Sequence, residues 1–123
     1  MEPKKVLVIE DEADIANILT NVLKLVSLET QVCTTGREAL EHLKQERYHG
    51  VILDLTLPDV KGTELYRQIV SEYPDLRGKF LITTGYSLDD ELESLIAEGG
   101  ERFMQKPFQL MELKDLVVQM VNQ

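Results

Sequence analysis

Cysteine is nearly absent from this chain: Cys33 is the only one in 123 residues. That excludes an intrachain disulfide and a zinc site built on cysteines. Long apolar runs are missing as well. The longest is of the size of Val6 to Ile9, whereas a membrane-spanning helix needs roughly 20 apolar residues. The opening MEPKKVLVIE reaches Glu10 too soon to hold the hydrophobic stretch of a secretory signal, so the expected location is the cytoplasm, without membrane insertion. Positive charge is scarce: 13 Lys and Arg stand against 22 Asp and Glu, a formal net charge of −9. A surface of that sign repels nucleic acid and anionic membranes and leaves metal ions and basic proteins as partners. No repeat, linker or low-complexity stretch interrupts the chain. With 43% hydrophobic residues it reads as a single domain over 1–123.

Two hydrophobic periodicities alternate along it. Lys5 to Ile9 reads as a strand, and Ile15, Ile18, Leu19, Val22, Leu23 and Val26 then form a helical stripe. Gln31 to Thr34 is a more polar strand suited to a sheet edge. Thr35 and Glu38 have the spacing of a capping box at the start of a second helix. Val51 to Leu55 is apolar except for Asp54, as in a strand buried on both faces. A helix with Leu65, Ile69 and Val70 follows. Phe80 to Thr84 is a fourth strand, Ser87 a cap for a fourth helix that Gly99-Gly100 ends, Arg102 to Gln105 a fifth strand, and Leu110 to Met120 a last helical stripe. Five β/α units predict an α/β fold: an open doubly wound five-stranded parallel sheet with five helices, whose function gathers at the carboxyl ends of the strands.

Those ends hold the unusual residues. Glu10 and Asp11 close the first strand, Asp54 the third, Thr84 the fourth and Lys106-Pro107 the fifth. Carboxylates brought that close raise one another's pKa values or require a cation, and oxygen donors without His or Cys suit a hard ion such as Mg2+. Capping of the next helix would explain Glu10 and Asp11, but not Asp54, since an unpaired carboxylate in VILDL is costly to bury. A cis Lys106-Pro107 bond would aim the ammonium inward, although trans is the commoner state of X-Pro bonds.

Together VLVIEDE, LDLTLPDVKG, LITTGY and FMQKPF resemble the receiver domain of two-component response regulators over essentially the whole chain. The resemblance implies a flavodoxin-like fold with strand order 2-1-3-4-5. It implies that Asp54 accepts a phosphoryl group from the phosphohistidine of a sensor histidine kinase or phosphotransfer domain. Asp11 would be a direct Mg2+ ligand, Glu10 a second acid, and Asp54 and the backbone carbonyl of Thr56 further ligands. Lys106 would pair with one phosphoryl oxygen and Thr84 hydrogen-bond another. Aspartate attacks an anionic phosphoryl group poorly unless cations offset the charge, which the metal and Lys106 would do. Turnover beyond the domain's own phosphorylation and hydrolysis is not expected, so the chain is not read as an enzyme.

By the same resemblance Phe103 is the switch aromatic that turns inward as Thr84 moves toward the phosphate, and phosphorylation shifts a pre-existing equilibrium. A simple core phenylalanine is its plainer reading. The resemblance also places signalling contacts, with a downstream protein among the candidates, on the fourth helix, fifth strand and fifth helix. Asp89, Asp90, Glu91, Glu93, Glu98 and Glu101 lie in that region with no Lys or Arg among them from Ser87 to Glu101, which predicts that it disfavours symmetric pairing and favours a basic partner. Thr56 and Tyr86 are expected to flank the path of the hydrolytic water and tune phosphoryl lifetime.

Other functions fit less well. Asp11-Glu12-Ala13-Asp14 spells DEAD, but the GxxxxGK[ST] loop of a helicase core is missing. A haloacid dehalogenase phosphatase would need an acid where Thr56 stands. A flavin binder would need a phosphate-cradling loop where Glu10-Asp11-Glu12 stands. Within the family, the run from Gly78 to Val118 resembles receivers at the C-terminus of hybrid sensor kinases.

Overall fold

Short aliphatic runs flanked by polar turns form the strands of the computed structural model, which describes residues 3–85 and 89–123. The strands are β1 (Lys5–Ile9), β2 (Glu29–Cys33), β3 (Gly50–Asp54), β4 (Phe80–Thr84) and β5 (Arg102–Gln105). The helices are α1 (Ala13–Lys24), α2 (Gly36–Gln45), α3 (Gly62–Glu72), α4 (Asp90–Gly99) and α5 (Leu110–Val121), with a 3-10 turn at Pro74–Leu76. All neighbouring strands are parallel, in the order β2-β1-β3-β4-β5. This is the open doubly wound, flavodoxin-like arrangement, and the strand order reverses between β1 and β3. A crevice opens above the carboxyl ends of those two strands because their crossovers lead to opposite faces.

Strand alternation divides the core into two layers. Leu7, Ile9, Val51, Leu53, Phe80 and Ile82 pack on one face against α2, α3 and α4, through Ala39, Leu65, Ile69, Leu92 and Leu95 among others. Val6, Val8, Ile52 and Leu81 pack on the other against Leu19 and Leu23 of α1 and Leu113, Val117 and Met120 of α5. Each fully buried aliphatic side chain contributes about 1.5–3 kcal/mol. β3 is buried throughout, so the Asp54 carboxylate at its end is largely withheld from solvent.

Several boundaries differ from the sequence reading. The α1 stripe stops at Leu23. Val26 lies in a tight exit turn, with its N–H on the Leu23 carbonyl, and Ser27 adopts a φ of 63°. β2 starts earlier than Gln31 and ends at Cys33, yet it is the edge strand expected. Thr35 does cap α2, accepting from the Glu38 N–H at 3.1 Å. The Glu38 carboxylate accepts instead from the Thr34 hydroxyl at 2.7 Å, so the box is not reciprocal. Asp59, from the loop after β3, completes the cap by accepting from the N–H groups of Gly36 and Arg37 at 2.9 and 3.1 Å. Asp89 caps α4, accepting from Leu92 N–H at 2.8 Å; Ser87, the expected cap, lies outside the described residues. Gly100 ends α4 with a φ of 67°.

The loop from β3 to α3 is held close to its strand. Thr56 and Lys61 form an isolated bridge. A Cβ on Gly62 would lie 2.6 Å from Leu55 Cα, so only glycine allows that approach. The loop is therefore tied to α2 by Asp59 and to α4 by the Lys61 ammonium, 3.6 Å from Glu91.

Candidate functional site

Register brings the acids together. Ile9 of β1 pairs with Leu53 of β3, so the next residues, Glu10 and Asp54, emerge side by side at the crevice. Both are buried, with 1% and 2% of their surface exposed. Asp11 is exposed beside them, and one carboxylate oxygen from each of Glu10, Asp11 and Asp54 lies within 4.8 Å of the others. Asp11 and Asp54 border an open pocket of about 340 Å³ lined also by Glu12, Thr56, Gly85 and Lys106. A larger cleft of about 710 Å³, with Lys4, Tyr48, His49 and Lys79 in its walls, lies at the amino edge of the sheet and lacks this convergence of acids. Size does not mark the site; charge does.

Lys106 supplies the counter-charge. Its Nζ lies 2.8 Å from Glu10 Oε1, 3.3 Å from Asp54 Oδ2 and 3.7 Å from Glu12 Oε1. Its backbone N–H donates to the Thr84 carbonyl at 2.8 Å, which extends the β4–β5 ladder to the site. The Lys106-Pro107 peptide is cis. The remaining oxygens find backbone donors: Glu12 N–H to Glu10 Oε2 at 3.2 Å and Thr56 N–H to Asp54 Oδ1 at 3.1 Å. Burial pushes the Glu10 carboxyl up to about 7; the Lys106 hydrogen bond works against this and the neighbouring Asp54 adds to it. For Lys106, burial alone would favour the neutral amine. The hydrogen bond to Glu10 and the charges of Asp54 and Glu10 outweigh it and hold the ammonium above the ordinary lysine value.

The other expected site residues fall as follows. Thr84 is buried at the end of β4 and lines the adjoining groove of about 590 Å³ beneath the β3–α3 loop, together with Leu92. Thr56 is exposed, with its backbone at the pocket and its side chain unconstrained by burial. Phe103 pairs with Ile82 and packs, half-buried, against the core layer beneath α3 and α4. Tyr86 lies outside the described residues. Glu12, not singled out in the sequence, adds a fourth acid within reach of Lys106. One expectation is corrected. Glu101 is not part of an acidic surface, because only 6% of it is exposed and its carboxylate accepts three hydrogen bonds inside the fold.

The donor set fits a hard divalent cation. It consists of carboxylate oxygens, two of them on buried side chains and one exposed at an open mouth that leaves positions for water or a phosphoryl group. Among the described residues one ammonium, that of Lys106, offsets these acids, and such an ion would relieve the rest of their crowding.

Comparisons with known proteins match this fold. The response regulator receiver domain family matches residues 6–118. The response regulator protein PilR of Pseudomonas aeruginosa is 32% identical over 95% of this chain and 26% of its own length. Response regulator MprA of Mycolicibacterium vanbaalenii is 30% identical over 90% of this chain and 47% of its own. This chain thus spans less than half of either relative. The signal receiver domain of a signal transduction histidine kinase from Syntrophus aciditrophicus superposes with a TM-score of 0.82 at 27% identity, covering 97% of this chain and 90% of that one.

Proposed function

Because this chain belongs to the response regulator receiver domain family, the phosphoacceptor signalling domains of two-component systems, we propose that Asp54 is its phosphoacceptor and Mg2+ its cofactor. The observation that carries this is the pair of buried carboxylates, Glu10 and Asp54, bridged by the Lys106 ammonium at 2.8 and 3.3 Å, with Asp54 and Lys106 lining an open pocket. Asp54 Oδ attacks the phosphorus of a phosphohistidine on a sensor kinase or phosphotransfer domain. A P–O bond forms, the P–N bond breaks, and its electron pair returns to the imidazole. Lys106 holds charge that develops on the phosphoryl oxygens, and the Thr84 hydroxyl donates to another of them. Glu10, Asp11, Asp54 and the Thr56 carbonyl would hold Mg2+, which when bound offsets anionic charge during transfer. Hydrolysis of the acyl phosphate at the same site resets the domain, with Thr56 and Tyr86 tuning the access of water. Tyr86→Ala is expected to hasten it, and an unchanged dephosphorylation rate would remove Tyr86 from that role.

Phosphorylation favours a state in which Thr84 and Phe103 move inward, which changes the face formed by α4, β5 and α5. The exposed acids Asp89, Asp90, Glu93 and Glu98 give that face a preference for a basic protein partner. A tight symmetric dimer through α4 and α5, seen by sedimentation of the activated form, would overturn that preference. No described helix is long and apolar enough to cross a membrane, and the domain is assigned to the cytoplasm with no direct role in binding nucleic acid. A second reading, as the receiver of a hybrid kinase, is favoured by the likeness to the Syntrophus aciditrophicus kinase receiver, and the flanking coding sequence separates the two. The deciding test for Asp54 is intact mass after treatment with acetyl phosphate and Mg2+. The wild type should gain one phosphoryl group, a gain that chelator prevents and that Asp54→Asn does not show; labelling of the variant would refute the assignment.

A further inference from the structure

The strand that carries Lys106 is poorly specified by its own pattern. β5 has four residues, lies at the sheet edge and pairs only with β4. Of its residues only Met104 is buried. Register is normally enforced by which side chains a slip would expose, and a single buried methionine enforces it weakly. A one-residue slip would nonetheless turn Phe103 and Lys106 to the wrong faces, so something else must hold β5 against β4.

Glu101, the residue before β5, does so. Its Oε1 accepts from Phe80 N–H, the first residue of β4, at 2.9 Å. Its Oε2 accepts from Gly78 N–H at 2.7 Å and from the Tyr66 hydroxyl of α3 at 2.6 Å. No ion pair to Glu101 exists among the described residues, so a buried carboxylate is held by three neutral donors alone. That arrangement is costly unless every donor is in place, and the donors come from α3 and from the entry of β4. Tyr66 is itself locked by an edge-on contact with Phe80 at 4.8 Å between ring centroids. The last residue of α4 is shaped to the same cluster. A Cβ on Gly99 would strike the Tyr66 hydroxyl and come within 2.6 Å of Glu101 Oε2. Burial and the Glu101 contact also push the Tyr66 hydroxyl well above its ordinary pKa, so it remains a donor.

The geometry points to Glu101 as a positioning residue that sets the register of β5 on β4 and thereby places Lys106 and Phe103 for phosphoryl binding and switching. The inference rests on the phosphoacceptor reading above. It separates two halves of the site. The groups that would hold Mg2+ come from β1, β3 and the loop after β3, none of which Glu101 touches. The groups for the phosphoryl oxygens, Thr84 and Lys106, come from the two strands that it joins.

Two titrations on Glu101→Gln test this: Mg2+ by calorimetry, and fluoroberyllate, a phosphoryl mimic, by fluorine NMR at saturating Mg2+. Glutamine keeps one acceptor oxygen and turns an NH2 toward donors. Fluoroberyllate binding should weaken about fivefold to tenfold, a fraction of one charge-assisted hydrogen bond, while Mg2+ binding is not weakened. Faster exchange of the Gly78 and Phe80 amides should accompany the change. Equal affinity of variant and wild type for fluoroberyllate would overturn the inference, as would a parallel loss of both ligands, which would mean a general loosening of the fold. If Glu101→Gln does not fold, Tyr66→Phe, which removes one of the three donors, decides by the same titrations, with the same selectivity and a smaller loss expected. A wild type that binds no fluoroberyllate would refute the phosphoacceptor reading itself and the positioning role with it, whereas normal wild-type binding with an unaffected variant would refute the positioning role alone.

Discussion

Replacing Lys106 by methionine removes the charge at the centre of the site while keeping most of its apolar length. The ammonium lies 2.8 Å from Glu10 Oε1 and 3.3 Å from Asp54 Oδ2, and the two acid side chains are 2% and 3% exposed. Removing one partner of a buried ion pair costs about 3–5 kcal/mol. Two features lower that figure here. Lys106 borders an open pocket, so water can reach the uncovered oxygens. Burial has already raised the Glu10 carboxyl to about 7, so it can take up a proton rather than stay charged. We expect Lys106→Met to lose about 2 kcal/mol in chelator near pH 8, read as a lower urea midpoint at unchanged slope. Near about pH 5 Glu10 carries its proton in either protein, only Asp54 loses its partner, and the penalty should shrink. Added Mg2+ should also shrink it, because the variant then regains a cation. A variant as stable as wild type near pH 8 in chelator would refute this account, as would a penalty independent of pH.

The remaining predictions concern Glu10, Asp59 and Cys33. The Glu10 carboxyl is raised from 4.5 to about 7 by burial, so in chelator the folded state binds more protons than the unfolded chain between those values. Its contribution to stability is fully present below about pH 4.5 and is lost as pH rises through about 7, a fall of at most about 3 kcal/mol. His49, lowered by burial and by the charges of Lys4 and Arg47, acts in the opposite sense. The quantity to measure is therefore the difference between wild type and Glu10→Gln, and a difference that does not vary with pH would sink the prediction. Asp59→Ala removes the acceptor shared by the Gly36 and Arg37 N–H groups. It should cost about 1 kcal/mol, with those two amides exchanging faster than the rest of α2; unchanged exchange would show that the cap contributes nothing. Cys33 is fully buried, and burial, with a smaller push from Glu38, raises its thiol to about 12. Thiol reagents should label it only on unfolding, so rapid labelling of the native protein would contradict the packing.

What could be read from sequence were the features carried by periodicity and by chemical incongruity. The continuous apolar runs of β1 and β3 and the α1 and α5 stripes mark a sheet covered on both faces, and Asp54 is visible because a carboxylate does not belong in VILDL. Residues that act by reaching across the fold were hidden. Asp59 caps a helix 22 and 23 residues away in sequence, and no local pattern announces that. Glu101 sits among surface acids and has the same composition as its neighbours. Only the turn that ends α4 and the entry of β5 carry it inward to Phe80 and Tyr66. Its signal in the sequence was indirect: Gly99-Gly100 looks like a helix stop, and Gly100 is one, whereas Gly99 makes room for a buried hydroxyl.

The charge balance of the pocket supports the proposed Mg2+ dependence from this chain's own residues. Glu10, Glu12 and Asp54 lie within 3.7 Å of the Lys106 ammonium, and Asp11 lines the same pocket. With Glu10 protonated, three negative charges still face one positive charge. On the proposed reading, a phosphoryl group on Asp54 would remove the charge of the carboxylate it joins as an acyl phosphate and bring about −1.5 to −2 of its own, so the modified site would be more negative than the unmodified one. Lys106 cannot offset that alone, because turning toward the phosphoryl oxygens draws it from Glu10, whose oxygen it meets at 2.8 Å. With a divalent cation held by Glu10, Asp11 and Asp54, the acids would have a second counter-charge, and the Lys106 ammonium would be available to the phosphoryl oxygens. Phosphorylation by acetyl phosphate should therefore depend steeply on Mg2+ in the wild type. It should remain detectable but weak in Lys106→Met at saturating metal, and a variant phosphorylated as fast as wild type would show that the ammonium serves the resting state alone.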